Sequence, residues 1–362
     1  MAEGLTLVTG FPGFIGRRLV RAILESDPDA RVVALVERRM ADAARDAAAA
    51  IDDERIEILA GDIAERGLGI PADTQERLLA DTRTVHHLAA IYDLSVPLEI
   101  AQRVNVDGTG NVLELCAGCE RLERLNYVST AYVAGTRKGV VYEHELVFGQ
   151  DFKNHYESTK FQAEVWVREA MEKVPATIYR PAIVVGDSRT GETQKFDGPY
   201  YMLRVIASAE RSGTPIPQFG RSAAPINVVP VDFVVDALMV GSRDAAAIGQ
   251  TLHLVDPEPV SASDVLGLLS REYAGKEPGM RVPPQLVAAS LRLGPIRRMY
   301  SGAPPESIRY LNHPVRFDTR QAADLMTRHG LGCPRFKDYV GAVVRFFREH
   351  EDDPSFAPKA AA

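Results

Sequence analysis

Cysteine is nearly absent from this 362-residue chain, which holds three, at Cys116, Cys119 and Cys333. Three cannot build a disulfide framework, so a reducing compartment is expected. Cys116 and Cys119 form a Cys-x-x-Cys, but inside the helical apolar pattern Val112-Leu-Glu-Leu-Cys-Ala-Gly-Cys119, and no second copy accompanies it. Buried helix cysteines explain it better than a redox pair. No excess of positive charge exists either. A net charge of −7 and a pI near 5.7 argue against a nucleic-acid partner. No apolar run approaches bilayer-spanning length, so no transmembrane segment is expected. No basic stretch with an apolar core precedes the first strand, so no signal peptide is read and a cytoplasmic location is expected. The eight histidines show no His-Glu-x-x-His or comparable spacing, so no metal is expected.

What is present is ordinary globular material, 46% hydrophobic and 25% charged, enough for one large α/β domain and a smaller lobe. Leu5-Thr-Leu-Val8, Arg31 to Glu37, Arg55 to Leu59, Thr84 to Ala90, Leu125 to Thr130 and Ala176 to Arg180 read as strands. Helical patterns over Phe14–Leu24, Met40–Ile51, Asn105–Cys119 and Tyr156–Lys173 lie between them. That alternation predicts a Rossmann-type doubly wound parallel sheet covered on both faces. Gly186 to Gly220 reads as a substrate loop, and Asn227–Asp232 and Thr251–Val255 as strand returns to the main domain. The expected division is a nucleotide-binding domain over 1–190 and about 225–260. A mainly helical substrate lobe covers about 190–225 and 261–350, and 351–362 is a disordered tail. Val287 to Tyr300, apolar with interspersed arginines, reads as an amphipathic lobe helix.

In Thr9-Gly10-Phe11-Pro12-Gly13-Phe14-Ile15-Gly16, a strand precedes three spaced glycines and a helix follows. Glycines there let the backbone approach a pyrophosphate, which the helix N-terminus attracts through free N–H groups and its dipole. Glu37 lies where an acid bonds ribose hydroxyls, favouring NAD, whereas Arg38 and Arg39 suit the 2′-phosphate of NADP. The choice stays open at this level. Asp62, followed by Ile63, is expected near the adenine, and Ala89 and Ala90 leave room for the nucleotide. Tyr156 and Lys160, four apart on a helix, share one face. An ammonium beside a phenol lowers its pKa, which suits a proton donor at a hydride-transfer site. Ser129-Thr130 closes a strand and offers a hydroxyl to a substrate carbonyl oxygen. His86 and His87 read as strand-packing residues.

Together with His87-Leu-Ala-Ala90, Asn105-Val-Asp-Gly-Thr-Gly-Asn111, Tyr127-Val-Ser-Thr130 and Tyr179-Arg-Pro181, these motifs resemble the extended short-chain dehydrogenase/reductases over roughly residues 5 to 260. The resemblance implies Thr130, Tyr156 and Lys160 as the catalytic set, with Ser129 beside them. It implies a cofactor contact set that includes Asn105 and Pro181, Asn105 also supporting the active-site strands. A homodimer is expected only by analogy. Val128-Ser-Thr-Ala-Tyr-Val133, Leu35-Val-Glu-Arg38 and Asn227-Val-Val-Pro-Val-Asp232 are similar to the male-sterility-like branch of fatty acyl-CoA and carrier-protein thioester reductases. Many of its members carry arginine where Glu37 stands.

Two enzymatic readings follow from that resemblance. One is reduction of an acyl thioester, on coenzyme A or a carrier protein, to aldehyde or alcohol. The other is a carbonyl reductase or alcohol dehydrogenase for a bulky apolar ketone or alcohol. A third class, a redox-silent NAD(P)-binding sensor, has no need of Thr130, Tyr156 and Lys160 together.

Overall fold

Seven short runs, most of them rich in Val, Ile and Leu, carry the architecture: β1 (Leu5–Thr9), β2 (Arg31–Val36), β3 (Ile56–Ala60), β4 (Thr82–His87), β5 (Arg124–Val128), β6 (Ala176–Pro181) and β7 (Thr251–Leu254). In the computed structural model, which describes residues 4–51, 53–93, 95–218, 224–281 and 308–356, they form one sheet in the order β3-β2-β1-β4-β5-β6-β7. Every pairing is parallel. Strand β2 shows why its sequence is apolar throughout. Val32, Ala34 and Val36 enter the core on one face, with α1 (Phe14–Ser26), while Val33 and Leu35 enter the core on the other. A strand covered on both faces has no polar side to show.

Between the strands run α2 (Ala41–Ala49), α3 (Ala72–Asp81), α4 (Gly108–Gly118) and α5 (His155–Ala170). Next come α6 (Tyr200–Ser212), α7 (Val231–Arg243), α8 (Ala262–Ala274), α9 (Arg320–Arg328) and α10 (Phe336–His350). The sheet order reverses between β1 and β4, and ligands of such sheets bind outside the strands' carboxyl ends at that point. A second core, with Phe196, Leu203, Leu266, Val343 and Phe347, joins α6, α8 and α10 as the lobe.

Three expectations change. Val228–Pro230 pairs with Ile183–Val185 in a separate two-stranded sheet, not with the main one. The lobe does not own all of 261–350: Val315–Phe317 pairs with Gly139–Val141, and Ala322, Leu325 and Met326 of α9 join the main-domain core. Amphipathicity shows that a helix buries a face but not which neighbour takes it. The expected disordered tail begins ordered, because Phe356 stacks on Phe196 at 4.9 Å and meets Phe346 edge-on. The 287–300 segment lies outside the described residues. No helix among the described residues is long and apolar enough to cross a membrane.

Candidate active site

The glycine loop is shaped by steric need. Gly10 sits at φ +94°, and its carbonyl oxygen accepts from Gly13 N at 2.9 Å. A Cβ on Gly13 or Gly16 would lie 2.7 or 2.5 Å from that oxygen. Only hydrogen fits at these positions. Helix α1 starts beyond Gly13 with no side-chain cap and no acid in its first turn. Its free N–H groups and positive end suit the phosphates of a dinucleotide, so the cradle fits that group.

His87 braces the loop from the side. Thr9 Oγ1 lies 2.7 Å from His87 Nδ1, His87 Nε2 lies 3.1 Å from Thr109 Oγ1, and Thr109 Oγ1 donates to Asn105 O at 2.6 Å. Ala89 N donates to Thr9 Oγ1 at 3.2 Å. Burial, then the charge of Lys160, pulls the imidazole down to about 3, so it is neutral. The donors run in one direction only if Nε2 carries the proton. A packing residue by sequence, His87 here ties β1 to β4 and to the Asn105 turn.

Beyond the end of β2, Glu37 pairs with Arg39 at 2.7 Å, and Arg38 donates to Gly69 O at 2.9 Å. Asp62 is partly occupied, accepting from Ala64 N at 2.8 Å and pairing with Arg103 at 3.2 Å. Ile63 is buried and its carbonyl accepts from Asn111 at 2.7 Å.

The expected chemical groups gather at the end of β5. Thr130 is extended and caps the short turn Ala131–Ala134, its Oγ1 accepting from Tyr132 N at 3.2 Å. Thr130 lies close enough to Tyr156 for its hydroxyl to act on that phenol. Asn154 caps α5, its Oδ1 accepting from Glu157 N at 2.9 Å, which sets Tyr156 in the first turn. Asn105, fully buried in a π-type turn (Gln102–Asp107), holds Ile91 by both backbone groups at 2.9 and 3.1 Å and donates to Thr159 at 3.0 Å. It thereby ties the β4 exit to α5. Pro181 ends β6, and its carbonyl faces Thr130 Oγ1 at 3.5 Å.

Two expectations about this set are corrected. Ser129 does not face the cleft: its hydroxyl donates to Glu164 at 2.6 Å, within a buried cluster of Glu164 with Arg180 at 2.6 Å and Arg168 at 3.2 Å. Adjacent strand residues point to opposite faces, so only one of the two hydroxyls reaches the site. Lys160 makes no hydrogen bond to Tyr156 among the described residues. Its ammonium donates to Val128 O at 2.8 Å and lies 4.3 Å from the Tyr127 ring. Burial pushes Lys160 down to about 7, with Glu164 opposing. Burial raises Tyr156 to about 12, with Thr130 opposing and Glu157 adding. Sharing a helix face brought the two close without making them partners.

Sequence reasoning missed what covers the glycine loop. Gln194 donates to Pro12 O at 3.2 Å, and Glu192 pairs with Arg18 at 3.2 Å and Arg17 at 3.7 Å. Lys195 stands 5.1 Å from the ring of Tyr92, a residue that electrostatically faces Tyr156. The expected substrate loop therefore lies across the cleft mouth. Cys116 and Cys119 are unpaired thiols, both pushed up by burial, Cys119 to about 11.

Residues 8–238 match the family model described as male sterility protein. The chain belongs to that family. It is 28% identical over 282 residues to a fatty acyl-CoA reductase of Drosophila melanogaster, covering 66% of this chain and 54% of that protein. A carboxylic acid reductase of Segniliparus rugosus is 27% identical over 269 residues, 64% of this chain and 22% of its own length. The chain thus spans about half or less of these curated relatives. The terminal R domain of the myxalamid PKS-NRPS pathway superposes with a TM-score of 0.80 at 25% identity, covering 99% of this chain and 94% of that one. This male sterility family member has the Rossmann-like α/β fold of the extended short-chain reductases, with the glycine loop at the end of β1.

Proposed function

We propose that this family member reduces a fatty acyl thioester, carried on coenzyme A or on a carrier protein's phosphopantetheine arm, and uses NADPH. The observation that carries the reading is the closeness of Thr130 to Tyr156 at the same carboxyl edge of the sheet as the glycine cradle, supported by acyl-reducing relatives. When bound, the nicotinamide supplies a hydride to the thioester carbonyl carbon. Thr130 donates a hydrogen bond to the carbonyl oxygen as negative charge grows there. Tyr156, protonated at neutral pH because burial raises it to about 12, gives that oxygen its proton. The hemithioacetal then loses its thiol as the C–S bond breaks, leaving an aldehyde. Buried Lys160 holds the Val128 carbonyl, and so the strand end that precedes Thr130.

Cofactor preference follows from charge. Arg39 neutralises Glu37, so the end of β2 carries Arg38 as net positive charge, which attracts a 2′-phosphate. The test is incubation with decanoyl-CoA and either reduced cofactor. Thiol released in step with NADPH oxidation is the expected result, and oxidation with only a ketone substrate rejects the reading. Arg38→Ala is expected to weaken NADPH binding ~10-fold and leave NADH nearly unchanged, read by fluorescence titration.

A further inference from the structure

One side chain distant in sequence touches both elements that carry the Thr130–Tyr156 pair. Tyr310 lies in the short helix Ile308–Leu311, 153 positions from Glu157. Its hydroxyl donates to Glu157 Oε1 at 2.7 Å and accepts from Asn154 Nδ2 at 2.8 Å. Asn154 and Glu157 form the first turn of α5, around Tyr156. The Tyr310 ring meets Tyr132 edge-on at 4.9 Å, and Tyr132 N donates to Thr130 Oγ1. Lys153 completes the enclosure. Its ammonium bonds Glu157 Oε1 at 3.1 Å and Gly135 O at 2.5 Å, and lies 5.1 Å from the Tyr310 ring.

We propose that Tyr310 is a positioning residue: through Glu157 and Tyr132 it sets the placement and acidity of the Tyr156–Thr130 pair. The inference rests on the reading of those two hydroxyls as the reacting groups. Packing alone needs only the ring, yet the hydroxyl is bonded in both senses to the first turn of α5. Glu157 is fully buried and its carboxylate stands next to Tyr156 in the chain, adding to the rise of that phenol. Lys153, Tyr310, Tyr132 and Tyr156 face Glu157, with His313 near Lys153; Tyr92 and Tyr127 also face Tyr156. A donor on a carboxylate disperses its charge. Removing the Tyr310 hydroxyl concentrates that charge and raises Tyr156, whereas removing the carboxylate lowers Tyr156.

The experiment is ¹⁹F NMR titration of the full chain labelled with 3-fluorotyrosine, a label that makes each phenol more acidic and so brings its titration into a range where the fold survives. Tyr156→Phe assigns the Tyr156 signal. Tyr310→Phe, which keeps the ring against Tyr132, is expected to raise the Tyr156 midpoint by about 0.3 unit, and Glu157→Gln to lower it by about 0.5 unit or more. With decanoyl-CoA and NADPH, Tyr310→Phe is expected to cut kcat ~10-fold and leave the KM for NADPH within about twofold. Midpoints that stay put in both variants, or move the same way, overturn the proposal. The titration uses neither cofactor nor substrate, so it stands apart from the thioester reading. Full activity in Tyr156→Phe would instead remove that reading and leave the titration result intact.

Discussion

Tyr156 and Lys160 stand one helical turn apart, and burial moves them in opposite directions, the phenol up to about 12 and the ammonium down to about 7. Desolvation disfavours whichever form is charged, so an acid rises and a base falls. For Tyr156 the consequence is a proton held at neutral pH. Tyr156→Phe is expected to keep nucleotide affinity within about threefold and lose ~100-fold or more in turnover. For Lys160 the consequence is a stability cost. Below about pH 7 both folded and unfolded chains carry its proton, and the penalty of burying the charge is present in full. Between about 7 and the ordinary lysine value of 10.5 the unfolded chain binds more protons, so stability rises with pH. Lys160→Met should therefore raise the melting temperature, more at pH 6 than at pH 9. Equal gains at both pH values in thermal melts would contradict the downward shift of Lys160.

At the scale of elements, the site depends on how two helices begin. Helix α1 starts uncapped, and α5 starts under Asn154. Gly16→Ala pushes a methyl to 2.5 Å from the Gly10 carbonyl oxygen and deforms the cradle. Nucleotide affinity measured by fluorescence should fall ~30-fold or more while far-ultraviolet circular dichroism stays unchanged. Asn154→Ala removes the cap and the donor to Tyr310, and should cost about 1 kcal/mol in urea unfolding. The glycine spacing made the first helix start legible, since its reason is local. The second start was placed within a residue. What the local pattern did not carry was the partner of Asn154, because Tyr310 comes from a segment far along the chain.

At the scale of the molecule, the lobe and the main domain are sewn together by segments that return to each other. Val315–Phe317 and α9 leave the lobe region to complete the main core, while within the lobe Phe356 closes over Phe196. Truncation after His350 uncovers the Phe196 ring and should cost ~2 kcal/mol, seen as an earlier urea midpoint. Acid acts on the whole fold as well. His86 and His87 are held down to about 3 by burial, so between the ordinary imidazole value of 6.5 and that point the unfolded chain takes up protons that the folded chain refuses. Stability should fall as pH drops through this window.

The amino-acid pattern alone determined the parallel sheet, the glycine cradle and the Tyr156–Lys160 face, because each has a short-range cause: period-two and period-3.6 burial, or steric room for one atom. The tertiary structure decided that Ser129 turns to Glu164, that Lys160 donates to Val128, that His87 braces the loop and that Tyr310 bridges the first turn of α5 and the Ala131–Ala134 turn. Those outcomes are contacts between distant segments, and their energies are desolvation and hydrogen bonding. Neither term exists until the chain has closed around the groups concerned.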